Sequence, residues 1–128
     1  MPRIIYPTVE QIIENNKIVL ELHKAKKADR HQLLGTRFQI QEIINKSKRK
    51  KGDIFAKASV FLQELTIKHI FASGNRRTAF ITAVDFISKN SLTVPLKWNS
   101  KEDIEMFKKI RYRQISEEEL AKWLKSKK

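Results

Sequence analysis

The sequence contains no cysteine, only three glycines and three prolines, and no apolar run near the length of a membrane span. Without cysteine, disulfides and thiolate metal sites are excluded, and we expect a reducing, cytoplasmic setting. A membrane helix needs about 18 consecutive apolar residues, so we expect no membrane partner. The first residues also lack the apolar core of a signal peptide. Few glycines and prolines, together with long stretches of helical periodicity, predict a mostly α-helical protein.

Acidic residues are also few. The chain has 14 of them against 27 lysines and arginines, which gives a formal net charge of +13 in 128 residues. Such a charge attracts nucleic acid, anionic lipid or an acidic partner, or it is simply a solvated lysine-rich surface. Basic residues cluster only at 46–51 and at the C-terminus, and neither cluster has interleaved aromatic residues. Nucleic acid is therefore a partner that the charge allows and the pattern does not favour.

Hydrophobic residues make up 41% of the chain, which is enough for a packed core. The length favours one domain over residues 1–128, and no internal repeat or boundary is visible. Spacing of apolar residues by three and four, with capping residues before them, predicts the helices. We expect helices from Thr8 to about Ala28, through Phe38 and Ile44, from Asp53 to His69, over 75–89, over 101–111 and after Ser116. Between them we expect a short helical turn after Asp29, a loop over 46–52 and an extended segment over 92–98.

The third and fourth of these helices carry the strongest apolar stripes. Ile54, Ala58, Phe61 and Leu65 follow one another at steps of three or four, and the next step of four is His69. The fourth helix has its own stripe: Ala79, Phe80, Ala83, Val84 and Ile87. Two such helices joined by a short turn should pack antiparallel. We therefore expect a compact all-α bundle with this helix hairpin at its centre.

The turn between the two helices carries the most chemistry. It reads HIFASGNRRTAF from His69 to Phe80. A helix start binds anions readily, Gly74 lets a ligand approach the backbone closely, and Arg76 and Arg77 add planar donor forks suited to phosphate. His69, just before the turn, is placed to accept a proton from an attacking hydroxyl. Phe71 is expected to anchor the turn in the core. Together, the helix start, the two arginines and His69 predict phosphate chemistry with a general base.

This stretch resembles the core motif of the Fic/Doc (death-on-curing) family, and looser similarity in helix pattern covers roughly residues 8–92. The matching residues are His69, Phe71, Gly74, Asn75 and Arg77, followed by Thr78 and Ala79. Arg76 falls where AMP-transferring members carry glycine and where Doc proteins carry lysine, so the chain looks Doc-like. Ser73 stands where the family has Asp, Glu or Asn to help hold magnesium, and a hydroxyl is a weaker ligand for that cation.

The resemblance implies an all-α fold and transfer of a phosphate-containing group from ATP, with Mg²⁺, to a protein Ser or Thr hydroxyl. His69 would be the catalytic base. Gly74, Asn75, Arg76 and Arg77 would bind the nucleotide phosphates, Arg77 would stabilise developing charge, and Ser73 would be the doubtful metal ligand. The Arg76 cation favours transfer of the terminal phosphate, as in Doc. AMP transfer stays an alternative, and so does a catalytically weak module that binds nucleotide or nucleic acid.

The resemblance also bears on partners. It implies a protein substrate, which in the Doc branch is an elongation factor, and a separate antitoxin if the protein is a toxin. The built-in inhibitory string of some Fic proteins does not occur in this sequence. Residues around 30–37 correspond to a flap that aligns the target segment in the family, although a plain connector explains them equally well.

Overall fold

A computed structural model describes residues 3–22, 31–90 and 101–126. Six α-helices lie in these ranges: α1 (Val9–Leu22), α2 (Arg37–Arg49), α3 (Ile54–Ile67), α4 (Asn75–Lys89), α5 (Lys101–Arg111) and α6 (Glu117–Ser126). The described residues form no strand beyond one isolated antiparallel bridge, between Leu33 and Phe71. None of these helices is long and apolar enough to cross a membrane. The predicted all-α fold is confirmed.

The central hairpin is formed by α3 and α4, as predicted. The α3 helix packs against α4, α6, α2 and α5, and α1 packs against α4 and α2. One hydrophobic cluster takes residues from all six helices. Its aromatic members are Phe55, Phe61, Phe71, Phe80, Phe86, Phe107 and Trp123. That one domain spans the whole chain stays a prediction.

Three of the predicted helix starts have the expected caps. In α1, the Thr8 N–H donates to Gln11 Oε1 at 2.8 Å and the Gln11 N–H donates to Thr8 Oγ1 at 3.1 Å. Asp53 accepts from the Ala56 N–H at 2.9 Å at the start of α3. The box of Ser116 and Glu119 opens α6. These caps satisfy N–H groups that a helix leaves unpaired at its first turn.

The α2 helix begins close to the predicted position and ends later than predicted. Thr36 is its N-cap and forms a full capping box with Gln39. The helix extends to Arg49, into the first four residues of the segment 46–52 that was predicted as a loop. Its last carbonyls are satisfied by the buried Lys57, whose Nζ donates to the oxygens of Lys48 at 3.1 Å and Lys50 at 2.8 Å. This internal cap is non-local, which is why local composition did not reveal it.

Two apolar residues within the predicted helices, Phe38 and Ile104, are exposed. Phe38 lies two positions before Ile40, so the two point to opposite sides of α2, and only Ile40 is buried. Ile104 follows the buried Asp103, which shares its face of α5 with Phe107 and Ile110. Three predictions fall outside the described residues: the continuation of the first helix to Ala28, the start of a short turn at Asp29, and the extended segment over 92–98.

Two lysines of the basic cluster at 46–51 form ion pairs within the fold. Lys46 pairs with Glu64, and Lys50 Nζ lies 3.1 Å from Glu117 Oε1 and 3.3 Å from Glu118 Oε1. These pairs join the end of α2 to α3 and α6. Although partial burial acts to lower it, the hydrogen bonds to the two glutamates raise the pKa of Lys50. Lys46 and Lys50 therefore help to join these helices at the surface of the protein.

Candidate functional site

The candidate site is the loop of residues 68–74 and the first turn of α4. The α3 helix ends at Ile67, two residues before His69, and Lys68 caps it. The prediction that His69 continues the helix is therefore wrong. Its backbone has turned into the left-handed region, at φ 47°, and its side chain is exposed. A non-glycine residue in this region is uncommon, although histidine is among the residues that adopt it most often.

The chain re-enters the core immediately after His69. Ile70 and Phe71 are both buried, with Phe71 at 2% exposure in the central cluster. Because the backbone turns at His69, its imidazole faces solvent while the next two side chains face the core. Those two side chains anchor the backbone of the loop. The sequence stripe had suggested an imidazole anchored on the helix itself.

Asn75 closes the loop on itself. Its Oδ1 accepts from the Phe71 N–H at 3.0 Å, and its Nδ2 donates to the Phe71 carbonyl at 2.8 Å. One side chain thus satisfies both backbone groups of a buried residue, which would otherwise be costly to leave unpaired. The side chain of Asn75 is therefore occupied in bracing the loop. Its predicted contact with phosphate depends on its backbone N–H.

Gly74 forms the turn into α4. It is the N-cap of that helix, at φ 75°, and no side chain caps the helix. A Cβ here would also lie 3.1 Å from Leu20 Cδ2 of α1, a tight contact, so both conformation and packing favour glycine. The first bond within the helix runs from the Thr78 N–H to the Gly74 carbonyl, at 2.9 Å. The N–H groups of Gly74, Asn75 and Arg76 therefore precede the helix's own ladder, where an anion binds readily.

Two guanidinium groups flank this helix start. Arg76 is exposed and Arg77 is half-buried, both in the first turn of α4. Cations at the positive end of a helix dipole are unfavourable by themselves, and an anion bound there compensates them. The structure thus brings the predicted site residues His69, Gly74, Asn75, Arg76 and Arg77 onto one loop and one helical turn.

Residues 31–36, which we call the flap after the family segment they are compared with, run alongside the loop. Residues 31–36, predicted as a helical turn, are not helical, because their backbone bonds to the motif rather than to itself. The Leu34 and Gly35 N–H groups both donate to the Ile70 carbonyl, at 2.7 and 2.9 Å. The Ala72 N–H donates to the Gln32 carbonyl at 2.9 Å. The flap therefore lies directly beside the segment that follows His69.

The sequence analysis missed two residues of the site, Asn16 and His31. Asn16 of α1 is fully buried, and its Nδ2 donates to the Ser73 carbonyl at 2.8 Å and to Thr78 Oγ1 at 3.0 Å. Its Oδ1 lies 2.8 Å from Nδ1 of His31 in the flap. The sequence did indicate that Asn16 is buried, since it lies four residues after Ile12 and four before Leu20, on the apolar face of α1. A polar residue on such a face needs partners.

The side chains present do not form a metal site on their own. Among residues 3–22, 31–90 and 101–126, no group of three His, Cys, Asp or Glu side chains is placed to hold a metal ion. Ser73 offers one neutral hydroxyl. Magnesium is usually bound through one or two carboxylates together with substrate phosphates and water. The donor set here therefore does not fit a magnesium ion held by the protein alone.

Together these features define a small helical protein in which a loop with an exposed histidine leads into the glycine-capped start of a helix. The family is shown by sequence: the model of the Fic/DOC family matches residues 6–87, and the chain belongs to that family. The match covers α1, the flap, the α3–α4 hairpin and the whole motif loop, and α5 and α6 lie beyond it. Among curated proteins, none matches the chain in sequence.

Proposed function

We propose that this protein is a Doc-like phosphotransferase, which moves the terminal phosphate of ATP to a Ser or Thr hydroxyl of a protein. Membership of the Fic/DOC family supports transfer of a phosphate-containing group. The observation that carries the proposal is the placement of His69. Its imidazole is exposed, and the loop that follows leads within five residues to the uncapped start of α4.

The roles follow from this arrangement. The N–H groups at the start of α4 and the guanidinium groups of Arg76 and Arg77 would bind the phosphates and stabilise the charge that develops on them. His69 would accept the proton of the attacking hydroxyl. A positioned general base typically contributes about 10²–10⁴-fold to the rate. The brace formed by Asn75 would hold the loop in the shape that this geometry needs.

Arg76 favours phosphate transfer over AMP transfer. A long cation is placed at the second position of α4, where glycine would leave the space open for the phosphates of an AMP-transferring enzyme. Because Arg76 is exposed, its guanidinium is accessible to a nucleotide. AMP transfer is the alternative within the same family, and Arg76→Gly is the substitution that should favour it.

A second candidate belongs to another class: a module that binds nucleotide or an acidic partner with little turnover. The observation in its favour is Ser73, with no metal-binding cluster among the described side chains. For the enzyme, magnesium would come with the ATP phosphates, Ser73 would be the side chain nearest to it by position in the motif, and the ion would neutralise phosphate charge.

The proposal extends to partners. The target would be a protein hydroxyl, with an elongation factor as the first candidate, and restraint would come from a separate antitoxin. A cytoplasmic location fits such partners. Nucleic acid is less favoured, because Lys46 and Lys50 of the main basic cluster pair with acidic residues of the same chain.

Calorimetric titration with ATP, with and without Mg²⁺, separates the candidates. The enzyme should bind ATP more tightly with Mg²⁺, and Arg77→Ala should weaken that binding by about tenfold or more, as expected for a charge-assisted contact. Magnesium-independent binding with no transfer would favour the binding module. Ser73→Asp should raise magnesium-dependent turnover, whereas Ser88→Asp at the exposed end of α4 is the matched control and should not.

A further inference from the structure

The amide of Asn16 joins three elements beneath the motif loop. Asn16 is fully buried on α1, and its two donor bonds reach the Ser73 carbonyl, at 2.8 Å, and Thr78 Oγ1 on α4, at 3.0 Å. Its oxygen lies 2.8 Å from Nδ1 of His31 in the flap. Every hydrogen-bonding direction of this amide nitrogen is thus used, and all of its partners belong to the motif or to the flap.

The partners fix which way the amide faces. The Ser73 carbonyl can only accept, so the group facing it must be the Nδ2 of Asn16. The amide oxygen then faces His31, and an oxygen can only accept. The Nδ1 of His31 must therefore carry a proton, and in the neutral imidazole Nε2 is left with the lone pair.

The bond to the Ser73 carbonyl also sets the direction of the neighbouring Gly74 N–H. The Ser73 carbonyl and the Gly74 N–H belong to one peptide plane, and in a trans peptide they point in opposite directions. No cis peptide bond occurs among the described residues. Because Asn16 holds the carbonyl towards α1, the Gly74 N–H is directed away from α1. Gly74 tolerates a wide range of φ, so this peptide could otherwise rotate readily.

We propose that Asn16 is a positioning residue of the anion site, which sets the direction of the Gly74 N–H, and that His31 holds the Asn16 amide in the required orientation. This inference rests on the proposed function, because the anion is taken to be a nucleotide phosphate. It adds a link that the motif itself does not contain: α1 and the flap jointly fix the backbone donor at the start of α4.

The adjacent residue supplies a matched control. Asn15 Nδ2 donates to Thr82 Oγ1 at 3.0 Å, one turn further along α4. Asn15→Leu therefore removes an amide–threonine bond between the same two helices and leaves the Ser73–Gly74 peptide untouched. Asn16→Leu removes the bond to Thr78 and also the bond to the Ser73 carbonyl, which orients the Ser73–Gly74 peptide.

The first measurement needs no nucleotide. The ¹⁵N chemical shifts of the imidazole report the tautomer of neutral His31 in the whole protein. We expect the Nδ1–H form in the wild type and in Asn15→Leu, and its loss in Asn16→Leu. An Nε2–H tautomer in the wild-type protein would overturn the inference, whatever the protein does with ATP. This readout in the wild type stands even if Asn16→Leu does not fold.

The second measurement is a titration with ATP and Mg²⁺, followed at the Gly74 amide by NMR. In the wild type and Asn15→Leu the Gly74 signal should shift on binding. In Asn16→Leu the shift should shrink and the affinity should fall about 10- to 100-fold, as for one hydrogen bond to a charged group. Equal affinity and an equal Gly74 shift in Asn16→Leu would contradict the inference. No binding by the wild type would instead contradict the proposed function.

The flap residue gives a rescue test. His31→Phe should raise the KM for ATP about 2- to 10-fold with a smaller change in kcat, because one neutral hydrogen bond to the positioning amide is lost. His31→Asn retains a side-chain donor at the position of Nδ1 and should restore the KM to within about twofold of the wild type. If both variants have the same KM, the donor role of His31 is wrong.

Discussion

Because His69 is exposed and has a left-handed backbone, substituting it should change the transfer rate without lowering the stability of the protein. Its side chain is exposed, so removing the ring forfeits little packing, and at φ 47° any non-glycine residue is strained. Relief of that strain by glycine is worth about 1–2 kcal/mol, from which the extra backbone entropy of glycine subtracts about 0.5–1 kcal/mol. His69→Gly should therefore be as stable as the wild type or more stable by up to about 1.5 kcal/mol.

The assay pairs thermal unfolding with ATP-dependent transfer. For a chain of this length, about 1 kcal/mol corresponds to a rise in Tm of roughly 3–5 °C. Asparagine adopts the left-handed region easily and cannot serve as the base, so His69→Asn should melt within about 2 °C of the wild type. Both variants should lose about 10²–10⁴-fold in transfer rate. A His69→Gly protein that melts well below the wild type, or one that retains transfer, would refute this reasoning.

Three further outcomes follow from the contacts. Asn75→Ala should lower the free energy of unfolding in urea by about 2 kcal/mol, because both backbone groups of Phe71 lose their partners. Lys57→Met keeps the buried stem but removes the cap on the α2 carbonyls, and should cost about 2–3 kcal/mol. The stability difference between wild type and Lys50→Met should be constant between pH 4.5 and 10.5 and shrink outside that range. Although partial burial acts to lower it, the hydrogen bonds to the two glutamates raise the pKa of Lys50, so its contribution is lost as pH rises through the folded-state pKa of the amine. A backbone hydrogen bond and, after it, Lys50 lower the pKa of Glu118, so the part that depends on Lys50 is lost as pH falls through the folded-state pKa of the carboxyl.

Each of these has a direct check. Lys51→Met, on an exposed lysine at the same end of α2, should change the unfolding free energy by less than about 0.5 kcal/mol. If Lys57→Met is equally harmless, the internal cap on α2 is not needed. If Asn75→Ala is as stable as the wild type, the loop is held by something other than the two bonds to Phe71.

Features set by local rules could be predicted from the sequence. The capping boxes of Thr8 and Ser116 and the cap by Asp53 depend on residues three positions apart, and the α3–α4 hairpin depends on two apolar stripes separated by a short turn. The motif could be found because its residues are consecutive. Its membership of a known family could be inferred for the same reason.

The part that could not be predicted depends on distant contacts. Asn16 bonds to a carbonyl 57 residues away, and His31 bonds to Asn16 across 15 residues. The extent of α2 depends on Lys57, and the flap depends on the backbone of Ile70. The His69 conformation was missed because periodicity predicts which face a residue occupies and does not predict where a helix stops.

Transfer of label from ATP to protein tests the central claim most directly. The wild-type protein and His69→Asn are each incubated with a cell extract and with ATP labelled either at the γ-phosphate or at the α-phosphate. The account predicts that γ-label alone appears on a Ser or Thr of one protein, and only with the wild-type chain. Transfer of α-label would establish AMP transfer instead. Label from neither position, or equal labelling by His69→Asn, would contradict the proposal that this loop carries out phosphate transfer.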